Sequence, residues 1–469
     1  MKKLLQMITA VLIIFTYTNV VFAEPLQTTN NTTQSSANSG TAATGVTSGS
    51  TTESTSSAPV KVVPKPSDID AGAYILIDMK SGRVLLEKNS NERHFPASTT
   101  KMLTAAMACE MGKLDQVMTA SVAAVNDIGK DGMNIGISPG EQITLYYLLH
   151  ALLVSSANET ANIIAENLSS TRQEFVDLMN KKAVELGCTG THFVNPCGAH
   201  NDNHYTTAAD LAKIARYGMS FETFRNIVGT VSYQMPATNK HTDWPLLYTT
   251  NKLLRYPKKD AAYKILGIKT GYTGQAGNNL VSAAENAEGM QLLAVVMDVF
   301  GENSQNKAIR FSRELYDYGF SNFYEKQVLN KGQYVQSVPV ADAGEGAALD
   351  LIAAEDFKYV AETGSDDKAL SIKPVINTNI IAPVKLGDVL GYIQYEINGT
   401  VLGKVSLVAA KDINKKEPTI IENVAQSVKP DSPVKKVLVV LASVLVFLVL
   451  LRFTLKYVSR RLRKKRSKF

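Results

Sequence analysis

The chain has 469 residues, of which 45% are hydrophobic and 20% are charged. This composition is ordinary for folded proteins, and the length allows two or three domains of about 150 residues each. The formal net charge is +6, but nine Lys or Arg and no acidic residue lie between Arg452 and Phe469, which leaves about −3 (6 − 9) for the rest. Because the positive charge is confined to the tail, the composition argues against a nucleic-acid-binding body.

The chain begins with the pattern of an export signal. Lys2 and Lys3 precede a mostly apolar stretch, and Val21-Phe22-Ala23 places a small residue at a cleavage position. We therefore predict a signal peptide at residues 1–23, with an uncleaved N-terminal anchor as the alternative. Residues 24–68 are dominated by small and polar side chains, which predicts a flexible Ser/Thr-rich linker.

Residues 69–325 mix strand and helix patterns, and we predict that they form the first folded domain. Residues 73–78 and 81–86 predict a hairpin of two strands. A helix is predicted from Ser98 to Met111, and it should be buried because its apolar residues cover nearly its whole circumference. Further helices are predicted at 145–153, 159–168, 172–186, 208–217 and 306–318, and strands at 279–284 and 290–297.

Residues 326–414 alternate short strand-like runs with turn signals, which predicts a small all-β domain. Ile380–Val384 and Val389–Ile393 are two such runs. Asn398-Gly399 lies between two further apolar segments and predicts a tight hairpin. Residues 415–434 are polar and contain proline, so we expect a second linker there.

The C-terminal region has the pattern of a membrane anchor. Val437–Leu451 is apolar apart from Ser443, and the apolar character continues far enough for a single transmembrane helix at 435–458. Two basic residues precede the run and nine lie at or after its end. The positive-inside rule therefore predicts a basic cytoplasmic tail at 459–469 and an extracytoplasmic body at the cell membrane. An interfacial amphipathic helix is the alternative, although the run lacks a polar face.

Three short motifs occur in order in the first domain. They are Ser98-Thr99-Thr100-Lys101, Ser156-Ala157-Asn158 and Lys269-Thr270-Gly271. Because Lys101 lies one helical turn after Ser98, both side chains share a face of the predicted helix. A serine hydroxyl needs a nearby base to become a nucleophile, and a lysine can be that base when burial or a neighbouring positive charge lowers its pKa. We therefore predict Ser98 as the nucleophile and Lys101 as its base.

The second motif and Lys269 assist this pair. Ser156 is suited to relay a proton to a leaving amine, and the amide of Asn158 is suited to hold Lys101 or the substrate backbone. Lys269 would lower the pKa of Lys101 by its charge and attract an anionic substrate.

The third motif is expected to bind the substrate. Thr270 and Gly271 should lie on an edge strand, where an extended peptide aligns as an added strand. The backbone N–H groups of Ser98 and Tyr272 are the expected donors to the oxyanion.

The motifs and the residues around them resemble the low-molecular-mass penicillin-binding proteins of the serine-type D-alanyl-D-alanine carboxypeptidase family. The resemblance covers residues 71–412. It implies an α/β (α+β) catalytic domain of the penicillin-binding and β-lactamase type, with an antiparallel sheet and flanking helices, followed by the all-β domain. The stretches that carry it are 96–102, 156–161, 191–198, 267–273 and 382–387.

The resemblance also implies a reaction. Ser98 would attack the carbonyl between the two terminal D-alanines of a peptidoglycan stem pentapeptide, and water would hydrolyse the acyl-enzyme. Lys269 and Thr270 would bind the terminal carboxylate. Penicillins would acylate the same serine, and no metal or organic cofactor is expected. The groups that assist Ser98 would be Lys101, Ser156 and Asn158.

The sequence departs from the family pattern at two places in the catalytic domain. Glu159 follows the second motif, where the family more often has Asp. The family usually has a carboxylate-binding arginine on the helix after the third motif. The nearest basic residues here, Lys307 and Arg310, do not match that position cleanly.

Other enzymes with a serine nucleophile and a non-catalytic sensor are the alternatives to a carboxypeptidase. A DD-endopeptidase or a transpeptidase would use the same nucleophile and stays open. A class A β-lactamase would need a Glu-x-x-Leu-Asn segment, which does not occur between Asn158 and Lys269. A non-catalytic sensor would need a signalling domain beyond the membrane, and only about 18 residues follow Leu451.

Cysteines and histidines favour neither a disulfide framework nor a metal site. Three cysteines are too few for a framework, although a Cys188–Cys197 bridge stays open beside three free thiols, including Cys109. The candidate ligands of a zinc enzyme match no standard zinc spacing. They are His192, Cys197, His200 and His204.

Overall fold

A computed structural model describes residues 63–129, 132–344, 346–365, 369–417, 423 and 433–466. The predicted signal peptide, nearly all of the Ser/Thr-rich linker and most of the second linker lie outside these residues.

A five-stranded antiparallel sheet forms the centre of the first domain. Its strands are β1 (Ala73–Asp78), β2 (Val84–Lys88), β7 (Tyr263–Thr273), β8 (Gly277–Asn286) and β9 (Gln291–Val299). Two short antiparallel pairs lie outside this sheet. They are β3 (Val117–Thr119) with β4 (Gln142–Thr144), and β5 (Ser232–Tyr233) with β6 (Leu247–Tyr248). The order is β2-β1-β9-β8-β7, so β7 is an edge strand. Ile75 and Ile77 pack into one hydrophobic cluster and Tyr74 and Leu76 into another, because alternate side chains of β1 point to opposite faces.

Helices cover both faces of the sheet. They are α1 (Lys101–Met111), α2 (Val122–Asn126), α3 (Leu145–Leu153), α4 (Asn158–Leu168), α5 (Arg172–Glu185), α6 (Ala208–Ser220), α7 (Glu222–Val228), α8 (Lys252–Arg255) and α9 (Ser304–Asn322). Leu103 of α1 and Leu148 of α3 belong to the cluster on one face, and Phe311 of α9 to the cluster on the other. The helix predicted at 145–153 agrees at both ends, and the other predicted helices differ by a few residues.

The C-terminal strands have a core of their own. They are β10 (Phe323–Leu329), β11 (Tyr334–Pro339), β12 (Ala348–Ala353), β13 (Phe357–Glu362), β14 (Leu370–Ile376), β15 (Val389–Ile397) and β16 (Thr400–Ala409). One sheet has the order β11-β12-β16-β15-β14, and β10 pairs with β13. Leu351, Tyr395 and Leu407 are buried in its hydrophobic cluster. This region is all-β, as predicted.

Two local predictions in this region have opposite outcomes. Asn398 and Gly399 both have positive φ, 49° and 79°, and form the tight turn between β15 and β16 as predicted. The strand predicted at Ile380–Val384 is wrong, since only single bridges occur there, at Ile381 and Val384. Pro383 interrupts the segment and has no N–H with which to extend a ladder.

The last helix, α10 (Pro433–Arg466), contains the predicted membrane anchor. Its segment Lys436–Arg460 has a mean hydropathy of 2.7 and is long and apolar enough to cross a membrane. By length and composition, it fits the helix predicted at 435–458.

Candidate active site

The predicted nucleophile lies on a 3₁₀ turn, Ala97–Thr100, directly before α1. The α-helix itself begins at Lys101 rather than at Ser98. Ala97 has a positive φ of 48°, which is uncommon for a residue with a side chain. The turn leaves Ser98 partly exposed while its neighbours Thr99 and Thr100 are buried. The hydroxyl is therefore accessible on an otherwise buried support.

Lys101 lies in contact with the Ser98 hydroxyl. Its Nζ is 2.8 Å from Ser98 Oγ, 2.6 Å from Asn158 Oδ1 and 2.6 Å from the carbonyl oxygen of Cys197. The side chain is completely buried. Burial lowers the pKa of Lys101 to about 8, while the neighbouring Cys197 and Glu159 act to raise it. An amine with this pKa is a usable base near neutral pH.

The second motif forms the turn between α3 and α4. Ser156 is buried and has a positive φ of 66°. Asn158, the first residue of α4, donates from Nδ2 to the carbonyl of Ile128 at 2.7 Å, and its backbone N–H donates to the carbonyl of Met133 at 2.7 Å. These bonds orient Oδ1 toward Lys101. Asn158 is predicted to hold either Lys101 or the substrate backbone, and its hydrogen bond with Lys101 matches the first of these roles.

The third motif lies on the edge strand β7, as predicted. Lys269 is fully buried, and its Nζ donates to the carbonyl of Thr270 at 3.0 Å. Burial is the main cause that holds the pKa of Lys269 well below its usual range, and the charge of Lys101 adds to it. The two amines therefore interact electrostatically, while burial is the main cause that lowers the pKa of Lys101. Tyr272 is 65% exposed at the end of the strand.

Gly271 explains why β7 can lie against the nucleophile turn. A Cβ at this position would be 2.7 Å from the carbonyl oxygen of Pro96 and 3.1 Å from the backbone N of Thr99. Any larger residue would push the strand away from the turn. On the neighbouring strand, Asn279 pairs with Gly271 and donates from Nδ2 to the carbonyls of Phe95 and Pro96, at 2.8 and 3.1 Å.

A loop that the motifs did not reveal supports the other side of the turn. Gly198 has φ +85°, and a Cβ there would be 1.9 Å from the carbonyl oxygen of Ala97. Asn195 fixes this loop, because its Oδ1 accepts bonds from the N–H groups of Cys197 and Gly198 at 3.2 and 2.7 Å. The loop thereby presents the Cys197 carbonyl to Lys101. In the sequence, this loop is part of the stretch 191–198, which resembles the family but was given no role in the site.

His204 also supports the turn rather than a metal ion. Its Nδ1 accepts from the N–H of Val194 at 3.2 Å, so Nε2 carries the proton of the neutral ring and donates to Thr100 Oγ1 at 2.8 Å. Thr100 Oγ1 in turn donates to the carbonyl of Ala97 at 2.9 Å. Burial is the main cause that lowers the pKa of His204 to about 3. The ring is therefore neutral at physiological pH and fixed in one tautomer.

His192 and His200, two further candidate metal ligands, each contact a neighbouring oxygen of the protein. His192 Nδ1 contacts the carbonyl oxygen of Asn203 at 2.6 Å, and His200 Nε2 lies 3.4 Å from Asp202. Among the described residues, no group of three or more His, Cys, Asp or Glu is placed to hold a metal ion. The three cysteines are free thiols.

Glu159, the departure in the second motif, is buried behind Lys101. Its Oε1 accepts from the N–H of Ile135 at 2.7 Å. Burial raises the pKa of this carboxyl, while the charge of Lys101 acts to lower it. Glu159 is therefore close enough to Lys101 for the charge of each residue to affect the pKa of the other.

Comparisons with known proteins match both folded parts of the chain to known families. Residues 59–301 match the sequence model of the D-alanyl-D-alanine carboxypeptidase family, and residues 323–415 match that of the penicillin-binding protein 5 C-terminal domain. D-alanyl-D-alanine carboxypeptidase DacF of Bacillus subtilis is 32% identical over 353 residues, which are 74% of this chain and 86% of that protein. DacA of Escherichia coli K12 is 28% identical over 365 residues, 75% and 86% of the two chains.

Solved structures show the same fold. A penicillin-binding protein 3 of Streptococcus pneumoniae superposes with a TM-score of 0.64 at 25% identity, over 74% of this chain and all of that one. Penicillin-binding protein 5 of Haemophilus influenzae superposes with a TM-score of 0.60 at 26% identity, over 75% of this chain and all of that one. The predicted fold class and family are thus confirmed. The chain belongs to the D-alanyl-D-alanine carboxypeptidase family of penicillin-binding serine hydrolases.

Proposed function

We propose that this protein removes the terminal D-alanine from peptidoglycan stem pentapeptides, with Ser98 as nucleophile and Lys101 as base. The observation that carries the proposal is the 2.8 Å separation of Lys101 Nζ and Ser98 Oγ, with the amine buried and its pKa lowered. The relatives named above are D-alanyl-D-alanine carboxypeptidases, which supports this substrate.

The proposed reaction has two halves. Lys101 takes the Ser98 proton as Oγ bonds to the carbonyl carbon between the two D-alanines, and the N–H groups of Ser98 and Tyr272 hold the oxyanion. The C–N bond then breaks, and the proton reaches the leaving amine through Ser156. Water next attacks the ester carbon and gives a proton to Lys101. Lys101 returns this proton to Ser98 Oγ as the C–Oγ bond breaks, and the tetrapeptide acid is released. β-Lactams acylate the same oxygen.

The direct test is to incubate the purified full chain in detergent with a pentapeptide muropeptide and to quantify free D-alanine. One D-alanine per tetrapeptide formed is expected, and prior treatment with penicillin should abolish it. Release only in the presence of an added amine, with the amine found in the product, would indicate a transpeptidase instead. Cleavage of cross-linked dimers without D-alanine release would indicate an endopeptidase.

The pH dependence of acylation should follow the base. Lys101 must be uncharged to accept the proton, and its pKa is lowered to about 8. The second-order rate of penicillin acylation is therefore expected to rise with pH, to be half-maximal near about 8, and to level off above it. A stopped-flow series from pH 6 to 10 with a fluorescent penicillin measures this. A rate that keeps rising toward the usual lysine pKa of about 10.4 would contradict the assignment.

We also propose that Lys436–Arg460 anchors the protein in the cell membrane, with the catalytic domain outside and the basic tail inside. The support is the length and hydropathy of the segment and the nine basic residues from Arg452 onward. A cysteine placed by Ser467→Cys should stay unlabelled by an impermeant maleimide in intact cells and react after permeabilisation. The exposed Ser337→Cys should react in intact cells, and equal labelling of both would overturn the topology.

A further inference from the structure

A cleft lies where α8, the first part of β7 and α9 meet. Its volume is about 320 Å³, which is within the usual range for sites that bind small molecules. Ile265 lines the cleft and precedes Thr270 by five residues, which is roughly 17 Å along a strand. The cleft is therefore separate from the third motif, and the proposed reaction makes no use of it.

Much of the cleft has apolar walls. The aliphatic side chains that line it are Leu253, Leu254, Ala261 and Ile265, of which Leu253 is buried and the other three are half-buried. Tyr263 adds an aromatic ring. This ring is held in place, because it stacks on Phe320 with 5.1 Å between the ring centroids and its hydroxyl donates to Asp317 at 3.1 Å. An apolar group of a ligand would lose water-exposed surface against these walls, which favours binding.

Three cations line the same cleft, and two of them already have a partner charge. Lys258 Nζ lies 3.0 Å from Asp317, and Lys264 Nζ lies 3.6 Å from Glu285. Both lysines are exposed and so lie toward the solvent. The third cation is Arg313 of α9. Because the two acids balance two of the three cations, this set keeps one positive charge, which suits a ligand with one negative charge.

Arg313 is the cation of this set that has no partner charge. Its side chain is half-buried, and Nη2 donates to the carbonyl of Tyr256 at 2.8 Å, which holds the plane of the guanidinium. Within the part of the chain that the structure describes, Nε and Nη1 have no hydrogen-bond partner. The donors of a guanidinium form a planar fork that matches the two oxygens of a carboxylate. The unused donors therefore indicate an oxyanion as the ligand group.

We propose that this cleft binds a small organic carboxylate, with the carboxylate on Arg313 and the apolar part against Leu253, Leu254 and Tyr263. The proposal does not rest on the proposed carboxypeptidase function, because none of these residues takes part in that reaction. Carboxylates on an apolar body occur at the ends of wall peptides and in other organic acids. Both sources share the chemistry that the cleft recognises, and the test distinguishes them.

The test measures the binding of four probes to the full chain in detergent by ligand-observed NMR titration. The probes are N-acetyl-D-alanyl-D-alanine, 3-phenylpropionate and the carboxamide of each. Ser98 is first acylated with penicillin, the adduct is checked by protein mass and free penicillin is removed, so that no probe can occupy the catalytic site. Detergent without protein gives the blank.

We expect at least one carboxylate to bind saturably, and its carboxamide to bind at least about 10-fold more weakly. Binding of the peptide alone would identify wall peptides as the ligand, and binding of 3-phenylpropionate alone would identify other organic acids. Saturable binding of both would support a site for either source. Carboxamides that bind as well as the carboxylates, or no saturable binding of any probe, would overturn the proposal.

Arg313→Gln removes the charge and should lower the affinity for the carboxylate about 10-fold. Arg310→Gln is the matched control and should leave the affinity within about 2-fold, because Arg310 lies on the same helix but pairs with Glu314 at 3.7 Å and does not line the cleft. Ala261→Trp fills the cleft and leaves the bond between Arg313 and Tyr256 in place. It should abolish binding, which keeps the proposal testable if Arg313→Gln fails to fold. Unchanged affinity in a folded Arg313→Gln or Ala261→Trp protein would show that the probes bind elsewhere.

Discussion

Replacing Ser98 with alanine is expected to abolish D-alanine release and covalent labelling by penicillin, with a fall of at least about 10⁴-fold in kcat/KM. Only the hydroxyl is removed, and the 3₁₀ turn that carries it is held by contacts of its neighbours, including Asn279 with Pro96 and Thr100 with Ala97. The variant should therefore fold as the wild type does. D-alanine quantification and the mass of the protein after penicillin treatment measure the two losses.

Ser155→Ala is the matched control for this experiment. Ser155 lies three residues before the start of α4, and its Oγ donates only to the carbonyl of Ala151 at 2.8 Å. Its removal should leave both activities within about 2-fold. A penicillin adduct on Ser98→Ala, mapped by peptide mass to another serine, would show that a different residue is the nucleophile.

Replacing Lys101 with methionine is expected to lower the rate of acylation by about 10²- to 10⁴-fold, the usual contribution of a general base. Methionine keeps most of the buried volume but removes the amine that contacts Ser98, Asn158 and the Cys197 carbonyl. The variant therefore lacks the group proposed to take the proton of Ser98. The measurement is the second-order rate of labelling by a fluorescent penicillin.

Lys101→Arg distinguishes a base from a fixed positive charge. Arginine keeps the charge but does not release its proton in proteins, so no recovery relative to Lys101→Met is expected. Lys182→Met is the control, because Lys182 forms surface ion pairs with Glu110 and Glu185 at 3.1 and 2.9 Å. Recovery of the rate in Lys101→Arg would indicate that Lys101 acts through its charge and that another group takes the proton.

Features that depend on local chemistry could be predicted from the sequence. The apolar run at Leu145–Leu153 predicts a helix with the observed ends, and Asn398-Gly399 predicts a turn that needs positive φ at both residues. The first motif predicts that Ser98 and Lys101 meet, because residues three apart in a helical turn lie on one face. The structure brings Asn158 to this pair as expected.

Features that depend on backbone groups or distant contacts could not be predicted in this way. The Cys197 carbonyl holds Lys101 from 96 positions away, and His204 reaches Thr100 across 104 positions. Any residue can supply a backbone carbonyl oxygen, so the residue types do not indicate the contact of Cys197 with Lys101. Residue type also does not distinguish a histidine with a structural role from one that binds a metal. Gly198 and Gly271 act by the absence of a side chain. Ile380–Val384 was misassigned because its apolar pattern outweighed the missing N–H of Pro383.

The position of the catalytic pair at the start of a helix whose first eight residues are buried links catalysis to the integrity of the fold. Residues 101–108 of α1 are all buried, and five of them belong to the main hydrophobic cluster of the domain: Met102, Leu103, Ala105, Met107 and Ala108. A partial opening that displaced Lys101 from Ser98 would have to expose the centre of that cluster, which is close to unfolding the domain as a whole. Each molecule that captures a β-lactam is therefore a folded one. The amount of bound radiolabelled penicillin would then measure the number of folded molecules during heating or proteolysis. An optical signal, by contrast, is an average over folded and unfolded molecules.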